Sequence, residues 1–454
     1  MGRYHFSGVA GAGMSPLACL LRARGHYVQG SDRSFEQGKN QDVAARLEDL
    51  GIRIVSHDGT AINPGIERFV HSTAVEADTP EMRAAHAFAV ECVPRPRLLA
   101  EVVSAGRPGV AIAGTSGKST VTGMIAWLLR ESAMPATALG GAALVGEGGG
   151  ACFVQGPAHG PVVAEACESD GTLAGYRPAI GLIHNVSRDH GELEVLRPQF
   201  ATFAGHCGRL LVNAGCPEAA AVARPFKPVT YGASPAADAW LEVRSVGPHR
   251  ALGVLHREGG GVALNVPQPG LHNLDNAAAA AMVALELGLE PARIAALLAR
   301  FPGVARRYEV IGVTARHIRV VDDYAHNGEK LRAAIATAQA GAARVLVVFQ
   351  PHGYGPARFL RPELRTLLPK LLRRDDRFCY LEIFYAGGTV AKDISSRMLA
   401  GDLPRLRCGY AADHAAARDW VVSEARPGDT VLVCGARDPD LPHLARSIFH
   451  ALQA

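Results

Sequence analysis

The 454-residue sequence lacks several features that would indicate a class at once. It has no dense run of lysine and arginine, and 47 basic against 43 acidic side chains leave a formal charge of +4, so nucleic acid is not an expected partner. No uninterrupted apolar run approaches about 18 residues, and the first residues do not join a basic segment to an apolar stretch. We therefore expect neither a membrane partner nor a secretory leader.

The nine cysteines are scattered, and no C-x-x-C pair occurs. This spacing argues against a zinc ribbon or a disulfide framework and favours reduced, mostly buried thiols. The composition, with 48% hydrophobic and 20% charged residues, is that of an ordinary globular protein, and the length suggests about three domains. We expect a cytoplasmic enzyme, either a monomer or a homodimer.

Short apolar runs alternate with helix-like segments along most of the chain, which is typical of βαβ units and parallel sheets. The pattern restarts at VAIA after Pro108 and again after FPGVARR, while segments between about 230 and 270 indicate hairpins. The sequence thus predicts an α/β protein with a Rossmann-like first domain, a P-loop ATPase-like central domain and a Rossmann-like third domain. The predicted boundaries are 1–107, 108–304 and 305–454.

The segment GVAIAGTSGKST, residues 109–120, predicts a phosphate-binding loop. An apolar strand pattern precedes the glycines and a helix with one apolar face follows them, so backbone N–H groups and the positive helix end would converge on an anion. There Lys118 would reach the β- and γ-phosphates of ATP, and Ser119 would ligate Mg²⁺. The general pattern G-x-x-x-x-G-K-[ST] requires a glycine where Ile112 stands, and a plain glycine-rich connection is the alternative.

A second glycine-rich turn, FSGVAGAGMS, follows the first predicted strand. Gly8, Gly11 and Gly13 lie where a pyrophosphate would meet a helix N-terminus. Asp32, at the end of the second strand, is placed for a ribose hydroxyl. An NAD-dependent dehydrogenase would explain this motif equally well, so the motif alone leaves both classes open.

Carboxylates follow two successive predicted strands of the central region. Glu165, Glu168 and Asp170 come after one buried strand, and Asp189 and His190 come after the next. The ends of parallel strands meet at one crevice, where carboxylates could hold Mg²⁺ and a histidine could share a second ion. Carboxylates solvated on loops are the alternative.

A pair of asparagines and one arginine each have a functional and a purely structural interpretation. Asn273 and Asn276 share one face of a predicted helix start, where N-capping is the common role. Arg307, in FPGVARRYE, could neutralise charge that develops on phosphate oxygens, whereas an interdomain salt bridge is the alternative.

Taken together, these motifs resemble those of the Mur ligases. AGTSGKST is similar to the family's shortened loop G-T-[HN]-G-K-[TS]-[TS], so the short spacing is the family's own form. GVAGAGMS, EACESD, NVSRDH, HNLDNA, GVARRYE and DDYAH each resemble a further Mur ligase motif. The resemblance covers nearly the whole chain and is closest to the branch that adds L-alanine to UDP-N-acetylmuramate.

The resemblance implies a set of site residues. The ATP-binding residues would be Gly114, Thr115, Ser116, Gly117, Lys118, Ser119, Thr120, Asn273 and Asn276 near the adenine, Arg307, and Asp323 on the ribose. The metal ligands would be Ser119, Glu168 and His190, and the catalytic residues Lys118, Glu168, His190 and Arg307. The substrate-binding residues would be Gly8, Gly11, Gly13, Met14, Ser15, Asp32, His326, His352 and Arg358.

The third-domain segment FQPHGYGPARF departs from the family pattern Q-P-H-R-Y-[TS]-R-T-R. Gly353 and Pro356 occupy the places of two arginines that would face substrate carboxylates, and neither residue can replace an arginine fork. Asn327 also stands where a histidine is usual. These departures fall where the acceptor should be selected, so the reaction is better specified than the acceptor.

We therefore expect a ligase that uses ATP and Mg²⁺ to join the carboxylate of a UDP-linked amino sugar to an amino acid, with L-alanine as first choice. The reaction would pass through an acyl phosphate and serve peptidoglycan precursor synthesis. A related ligase that attaches another amine or a peptide is the first alternative. A nucleotide-binding relative without ligase activity and an NAD dehydrogenase are the alternatives from other classes.

Overall fold

The computed structural model describes residues 1–72, 75, 78–147, 152–154, 156–157, 159–168, 171–187, 192–385, 390–403 and 408–453. Strands and helices alternate along these residues and form three sheets in which parallel pairing dominates. This arrangement confirms the predicted α/β class. Within the described ranges, no helix combines the length and the apolar character needed to cross a bilayer.

The first sheet is wholly parallel. Its strands are β1 (Arg3–Ser7), β2 (Tyr27–Ser31), β3 (Arg53–Ile54), β4 (Arg68–His71) and β5 (Glu91–Pro94). Its helices are α1 (Ser15–Ala23), α2 (Arg33–Glu36), α3 (Gln41–Asp49), α4 (Pro80–Ala87) and α5 (Arg95–Ser104). The strand order β3-β2-β1-β4-β5 reverses direction beside β1, as in a Rossmann-type sheet. Such a switch point opens a ligand crevice at the carboxyl end of β1.

The second sheet is the largest, with a parallel centre. Its strands are β6 (Gly109–Ala113), β7 (Thr137–Gly140), β8 (Cys152–Val154), β9 (Val162–Ala166), β10 (Ile180–Ile183), β11 (Arg209–Asn213), β12 (Val229–Gly232), β13 (Ala239–Val246), β14 (Ala251–Arg257) and β15 (Gly260–Val266). Its helices are α6 (Lys118–Glu131), α7 (Leu193–His206), α8 (Pro217–Ala223), α9 (Leu271–Glu286) and α10 (Pro291–Leu298). The order is β15-β14-β13-β12-β11-β10-β6-β9-β7-β8. The predicted hairpin region forms the consecutive neighbours β13, β14 and β15.

The third sheet has one antiparallel edge strand. Its strands are β16 (Glu309–Val313), β17 (Arg319–Asp323), β18 (Val345–Gln350), β19 (Arg377–Leu381), β20 (Cys408–Ala411) and β21 (Thr430–Gly435). Its helices are α11 (Gly328–Ala340), α12 (Tyr354–Leu371), α13 (Ser396–Gly401), α14 (His414–Glu424) and α15 (Leu441–Gln453). The order is β16-β17-β21-β18-β19-β20, and β16 alone among the paired strands of this sheet runs antiparallel to its neighbour.

The chain divides into two compact units. The first contains residues 1–245, 252–267 and 271–302, and the second contains residues 246–251, 268–270 and 303–454. Within the first unit, side chains of the first sheet such as Phe6 and of the second sheet such as Phe200 belong to one continuous hydrophobic core. The third sheet has separate apolar clusters of its own. The shared core explains why the first two sheets form one unit, and the three exact domain boundaries stay predictions.

Candidate active site

Two glycines shape the phosphate loop between β6 and α6. All five residues of β6 are buried, and Gly114 and Gly117 then turn the chain with φ values of +150° and +84°, which suit glycine. A Cβ atom on Gly117 would lie 2.6 Å from Asn276 Oδ1 and 2.9 Å from His184 Cδ2. Any larger residue here would have to displace the side chain of Asn276 or His184, and the positive φ favours glycine as well.

Lys118, the first residue of α6, lies over this loop. Its Nζ atom donates to Glu168 Oε2 at 2.8 Å and to the carbonyl oxygen of Gly114. Burial alone would lower the pKa of Lys118, but the negative charge of Glu168 and further nearby groups outweigh burial and raise that pKa. The ammonium therefore stays charged at neutral pH, as phosphate binding requires.

Carboxylates from β9 and the residues after it face the same loop. Ser119 Oγ donates to Glu165 Oε2 at 3.2 Å, and Glu165 Oε1 accepts from the N–H of Gly141 at 2.6 Å. Glu168 is 2% exposed, and its Oε1 atom has no hydrogen-bond partner among the described residues. A buried carboxylate oxygen without a donor is costly unless a cation satisfies it. Hydroxyl and carboxylate oxygens are also the donors that Mg²⁺ prefers, so this set of residues fits that ion.

The structure describes only some of the residues predicted to bind metal ions. Among the described residues, no three His, Cys, Asp or Glu side chains form a group suited to hold a metal ion. His190, predicted as a ligand and catalytic residue, lies outside the described residues, as do Asp170 and Asp189. Ser119 is bonded to Glu165 and Glu168 to Lys118, and the charge of Glu165 also acts on Lys118. The predicted ligands Ser119 and Glu168 therefore belong to the same region beside the loop.

Asn185, which sequence reasoning gave no role, holds the loop in place. Its Oδ1 atom accepts from the N–H of Ser116 at 2.8 Å and from Thr115 Oγ1 at 3.0 Å. Its Nδ2 atom donates to the carbonyl oxygen of Ser116 at 3.0 Å, and its own carbonyl accepts from the N–H of Thr115. Ser187 contacts Thr115 as well. The sequence feature that could have indicated this role is the asparagine of NVSRDH, which comes just after β10, a parallel neighbour of β6.

Asn273 and Asn276 lie inside α9, as its third and sixth residues, so neither is an N-cap. Both are buried, and Asn276 Nδ2 donates to Asn273 Oδ1 at 3.3 Å. Next to them, His184 shares a 2.7 Å hydrogen bond with the hydroxyl of Tyr231, and burial lowers the pKa of His184 to about 4. The two asparagines thus border the phosphate loop, together with Thr120 in the first turn of α6. Their contact with adenine stays a prediction.

The glycine-rich turn of the first sheet lies at the carboxyl end of β1. Gly8 has a φ of +84° and donates its N–H to the carbonyl of Ser31 at 2.8 Å. Asp32 braces the turn, because its Oδ2 accepts from the N–H of Ala10 at 3.0 Å while its Oδ1 caps α2 through the N–H of Ser34. The remaining predicted residues Gly11, Met14 and Ser15 are joined by hydrogen bonds at the start of α1.

An arginine from α5 reaches this turn. A Cβ atom on Gly13 would lie 3.2 Å from Nη1 of Arg95, so the guanidinium packs directly on the glycine. Sequence reasoning missed Arg95 because it is distant along the chain and belongs to no motif. A guanidinium beside a glycine-rich turn is well suited to phosphate oxygens.

A buried polar network lies beneath the same turn. Glu81 is fully buried and accepts from Ser7 Oγ at 2.5 Å and from Ser31 Oγ. It also pairs with His5 Nε2 at 2.9 Å and with His57 Nδ1 at 3.0 Å. Burial would raise the pKa of Glu81, but the hydrogen bonds and charge of His5 and the two serine hydroxyls lower it below its usual value. Because Ser7 and Ser31 end β1 and β2, an ionised Glu81 fixes both strand ends that carry the turn.

In the second unit, Arg307 and Asp323 come together at the carboxyl end of β17. Asp323 accepts from the N–H groups of Tyr308 and Ala325, both at 2.7 Å. Burial raises the pKa of Asp323, and the charge of Arg307 opposes that rise. The Arg307 guanidinium lies over the ring of Tyr324, 4.6 Å from its centre. The predicted ATP contacts of Arg307 and Asp323 stay predictions.

The third-sheet substrate residues are only partly brought together. The rings of His326 and His352 meet edge to face with centres 5.4 Å apart. Arg358 instead forms an ion pair with Asp393. Gly353 has a φ of +70°, which favours glycine.

Pro356 is the third residue of α12, where a backbone N–H is not needed. Both residues that replace expected arginines therefore suit their local backbone.

A three-sheet α/β chain that carries a shortened phosphate loop is typical of a class of nucleotide-dependent enzymes. Three domain families match in sequence: the Mur ligase family catalytic domain at residues 3–107, the Mur ligase middle domain at 112–284, and the Mur ligase glutamate ligase domain at 306–437. The chain belongs to the Mur ligase family, as its motifs predicted.

Similar proteins support this assignment over nearly the full length. UDP-N-acetylmuramate–L-alanine ligase of Kineococcus radiotolerans is 36% identical over 459 residues, which cover 96% of this chain and 94% of that protein. The same ligase of Thermobifida fusca is 35% identical over 461 residues, with the same two coverages of 96% and 94%.

Solved structures show the same three-domain fold. The crystal structure of UDP-N-acetylmuramate-alanine ligase from Thermotoga maritima gives a TM-score of 0.79 at 24% identity and covers 100% of this chain and 99% of that one. A murein peptide ligase from Psychrobacter arcticus gives a TM-score of 0.70 at 19% identity, with coverages of 100% and 99%.

Proposed function

We propose that this protein is an ATP-dependent ligase that joins the carboxylate of UDP-N-acetylmuramate to the amino group of L-alanine in peptidoglycan precursor synthesis. The observation that carries the proposal is the ion pair between Lys118, at the end of the shortened phosphate loop, and Glu168, which follows β9. The chain that contains this pair is 36% identical to an alanine-adding ligase. We further propose that it acts in the cytoplasm, as a monomer or homodimer, with domains at 1–107, 108–304 and 305–454.

The proposed reaction has two steps. A carboxylate oxygen of the sugar substrate attacks the γ-phosphorus of ATP, the bond to the β,γ-bridging oxygen breaks, and ADP leaves. The acceptor amine then attacks the acyl carbon, the acyl–oxygen bond breaks, and inorganic phosphate carries away that electron pair while the amine loses a proton. Both steps place negative charge on phosphoryl oxygens, which positive groups and N–H donors stabilise.

The chain supplies these groups from the loop region. The charged ammonium of Lys118 and the N–H groups at the start of α6 would face the transferring phosphoryl group. Asn185 keeps the loop backbone in its binding conformation through its bonds to Thr115 and Ser116. Arg307 would add a second positive charge.

Oxygen donors beside the loop would hold a magnesium ion. Ser119, Glu165 and Glu168 are the candidates among the described residues, and His190 is proposed to hold a second ion. Bound Mg²⁺ would neutralise phosphate charge during phosphoryl transfer.

The sugar nucleotide would occupy the crevice of the first sheet. The turn Gly8–Ser15 and the guanidinium of Arg95 would face its pyrophosphate. An ionised, fully buried Glu81 supports this turn from below.

The test is phosphate release by the purified protein with UDP-N-acetylmuramate, ATP, Mg²⁺ and a panel of amino acids. L-Alanine should give the highest rate above buffer. If another acceptor releases phosphate and alanine does not, the assigned acceptor is wrong and the ligase class stands. If no acceptor releases phosphate although ATP binds, a non-catalytic nucleotide-binding protein replaces the ligase. NADH binding in a fluorescence titration would instead support the dehydrogenase.

A second candidate is a ligase for a different amine or a peptide. Gly353 and Pro356 favour it, because they remove two cations from the segment expected to select the acceptor. Peptides and amino acids other than alanine in the same panel separate the two candidates.

A further inference from the structure

An amino-acid acceptor carries a carboxylate beside its reacting amine, and this carboxylate requires a cation in the folded site. The inference that follows therefore rests on the proposed function, in which an amino acid is the acceptor. In the second unit the expected cation, Arg358, is bound to Asp393, and Gly353 and Pro356 contribute no charge. The cation must therefore come from another element.

The strand register of the third sheet brings three strand ends to one edge. β21 lies between β17 and β18, with Asp323 opposite Cys434 and Gln350 opposite Gly435. Arg437 follows the end of β21 by two residues, just as His352 follows the end of β18. Arg437 therefore lies at the same edge of the sheet as the edge-to-face pair of His326 and His352.

Arg437 is exposed, and its charge is not paired with any residue that the structure describes. Among the described residues, nothing forms a hydrogen bond or an ion pair with its side chain. The neighbouring carboxylate of Asp438 is already engaged, with His414 Nε2 at 3.1 Å and with the N–H of Asp440 at 2.9 Å. The guanidinium is thus available to a ligand carboxylate.

The backbone at Arg437 is also unusual. Its φ is +67°, in the left-handed region that disfavours residues other than glycine. Such strain clusters at binding and catalytic sites, where a side chain must be held in a particular direction.

The neighbouring histidine reports the charge around this edge. Burial, together with the positive charges of Arg437 and Lys330, lowers the pKa of His352 to about 4. Both cations therefore act on the space around His352, whose imidazole is neutral at physiological pH. Lys330 belongs to the first turn of α11, directly after β17 and the His326 segment.

We propose that Arg437, assisted by Lys330, binds the carboxylate of the incoming amino acid beside His326 and His352. The subsite requires an acceptor with a free carboxylate next to the amine. An amine or an amino-acid amide that lacks this carboxylate is a poor acceptor.

The test compares full-length wild type with Arg437→Gly and Arg437→Lys. Glycine removes the guanidinium and suits the φ of +67°, so the variant should fold, and lysine keeps one charge without the bidentate fork. Arg418→Ala is the matched control, because Arg418 is a surface arginine of the same unit that pairs with Asp419. Phosphate release gives KM values for L-alanine, L-alaninamide, ATP and UDP-N-acetylmuramate.

In wild type, L-alaninamide should have a KM at least about tenfold above that of L-alanine. Arg437→Gly should raise the KM of L-alanine by about 10- to 100-fold and leave the other three KM values within about twofold, so that alanine and its amide become equivalent. The KM of Arg437→Lys for L-alanine should lie between those of wild type and Arg437→Gly, and all KM values of Arg418→Ala should match wild type.

The inference is overturned if Arg437→Gly leaves the KM for L-alanine unchanged, or if it raises the KM for L-alaninamide by the same factor. In either case, phosphate release by wild type still supports the proposed function. If wild type prefers another amino acid, the same comparison uses that acid and its amide. Should no acceptor release phosphate, the proposed function fails, and calorimetric titration with L-alanine decides the subsite. Tighter binding to wild type than to Arg437→Gly supports it, and equal or absent binding refutes it.

Discussion

Nζ of Lys118 lies 2.8 Å from Oε2 of Glu168, across the ends of the adjacent parallel strands β6 and β9. The bond joins the first residue of the phosphate-binding helix to a carboxylate that is buried and half unsatisfied among the described residues. The loop cation and the candidate metal ligand are therefore one electrostatic unit.

Lys118→Ala should lower kcat for phosphate release by about 10²- to 10³-fold, because a positive group that faces the developing phosphoryl charge is lost. Glu168→Gln should cause a loss of similar size, and the double variant should lose little more than either single one, since paired charges are not additive. Glu147→Gln, from the surface pair of Arg130 and Glu147, is the control and should match wild type. Lys118→Ala activity within tenfold of wild type would contradict the assigned role.

Asn185→Ala should raise the KM for ATP. The substitution removes three side-chain hydrogen bonds to Thr115 and Ser116, each worth about 1 kcal/mol, so an increase of about 10- to 100-fold is expected. Asn213→Ala is the control, because Asn213 holds a turn after β11 through the N–H of Gly215. A KM for ATP that changes equally in both variants would refute a specific role for Asn185.

Gly117→Ala should abolish ATP binding, since the new Cβ would lie 2.6 Å from Asn276 Oδ1 and the φ is +84°. Gly146→Ala separates the two causes, because Gly146 has a similar φ of +89° and open space around its Cβ position. It should lose only about 1 kcal/mol of stability and keep ATP affinity. Equal affinity of the two variants for ATP in a calorimetric titration would show that the steric argument is wrong.

Glu81→Gln should destabilise the first unit by a few kcal/mol, since a buried hydrogen-bonded carboxylate loses its charge beside His5. In addition, the KM for UDP-N-acetylmuramate should rise more than the KM for ATP, because Ser7 and Ser31 carry the glycine-rich turn. Glu91→Gln, which alters the surface pair with Arg97, is the control. Equal shifts in both KM values would indicate general destabilisation alone.

Asp322 should make the second unit less stable as pH rises. Burial raises its pKa from 3.8 to about 7, and Arg306, 3.4 Å away, opposes this rise while Glu309 and Asp323 add to it. An acid with a raised pKa in the folded state binds more protons when folded than when unfolded. The contribution of Asp322 to the free energy of unfolding is therefore fully present below pH 3.8 and falls progressively as the pH rises to about 7.

Urea unfolding between pH 4 and 8 tests this expectation. The stability of wild type relative to Asp322→Asn should fall with pH by up to about 1.4 kcal/mol per unit, whereas exposed Asp375→Asn should track wild type. A constant difference between wild type and Asp322→Asn across this range would contradict the assignment.

Apolar periodicity and local motifs in the sequence were sufficient to predict the main strands, helices and turns. The apolar strand before Gly114 and the apolar helix face after Lys118 specified the strand, turn and helix of the loop, and the structure contains them as β6 and α6. The three sheets and the hairpin region followed from the same alternation.

Contacts between distant segments were not predictable in this way. Periodicity shows which face of an element is buried, but it does not show which polar group from another strand meets that face. The bonds of Asn185 to Ser116, the position of Arg95 on Gly13 and the pairing of Arg358 with Asp393 all depend on the assembled sheets. The family motifs named residues at the loops but left these supporting partners out.

The continuous core beneath the first two sheets couples the stability of the crevice proposed for the sugar nucleotide to that of the phosphate loop. Phe6 and Leu99 pack in the same cluster as Ala111 and Phe200, so each sheet buries part of its apolar surface in a core that it shares with the other. The first unit should unfold in one cooperative transition, and ATP should protect the turn Gly8–Ser15 against denaturant although it binds elsewhere. Core substitutions that weaken one crevice would for the same reason lower the occupancy of both.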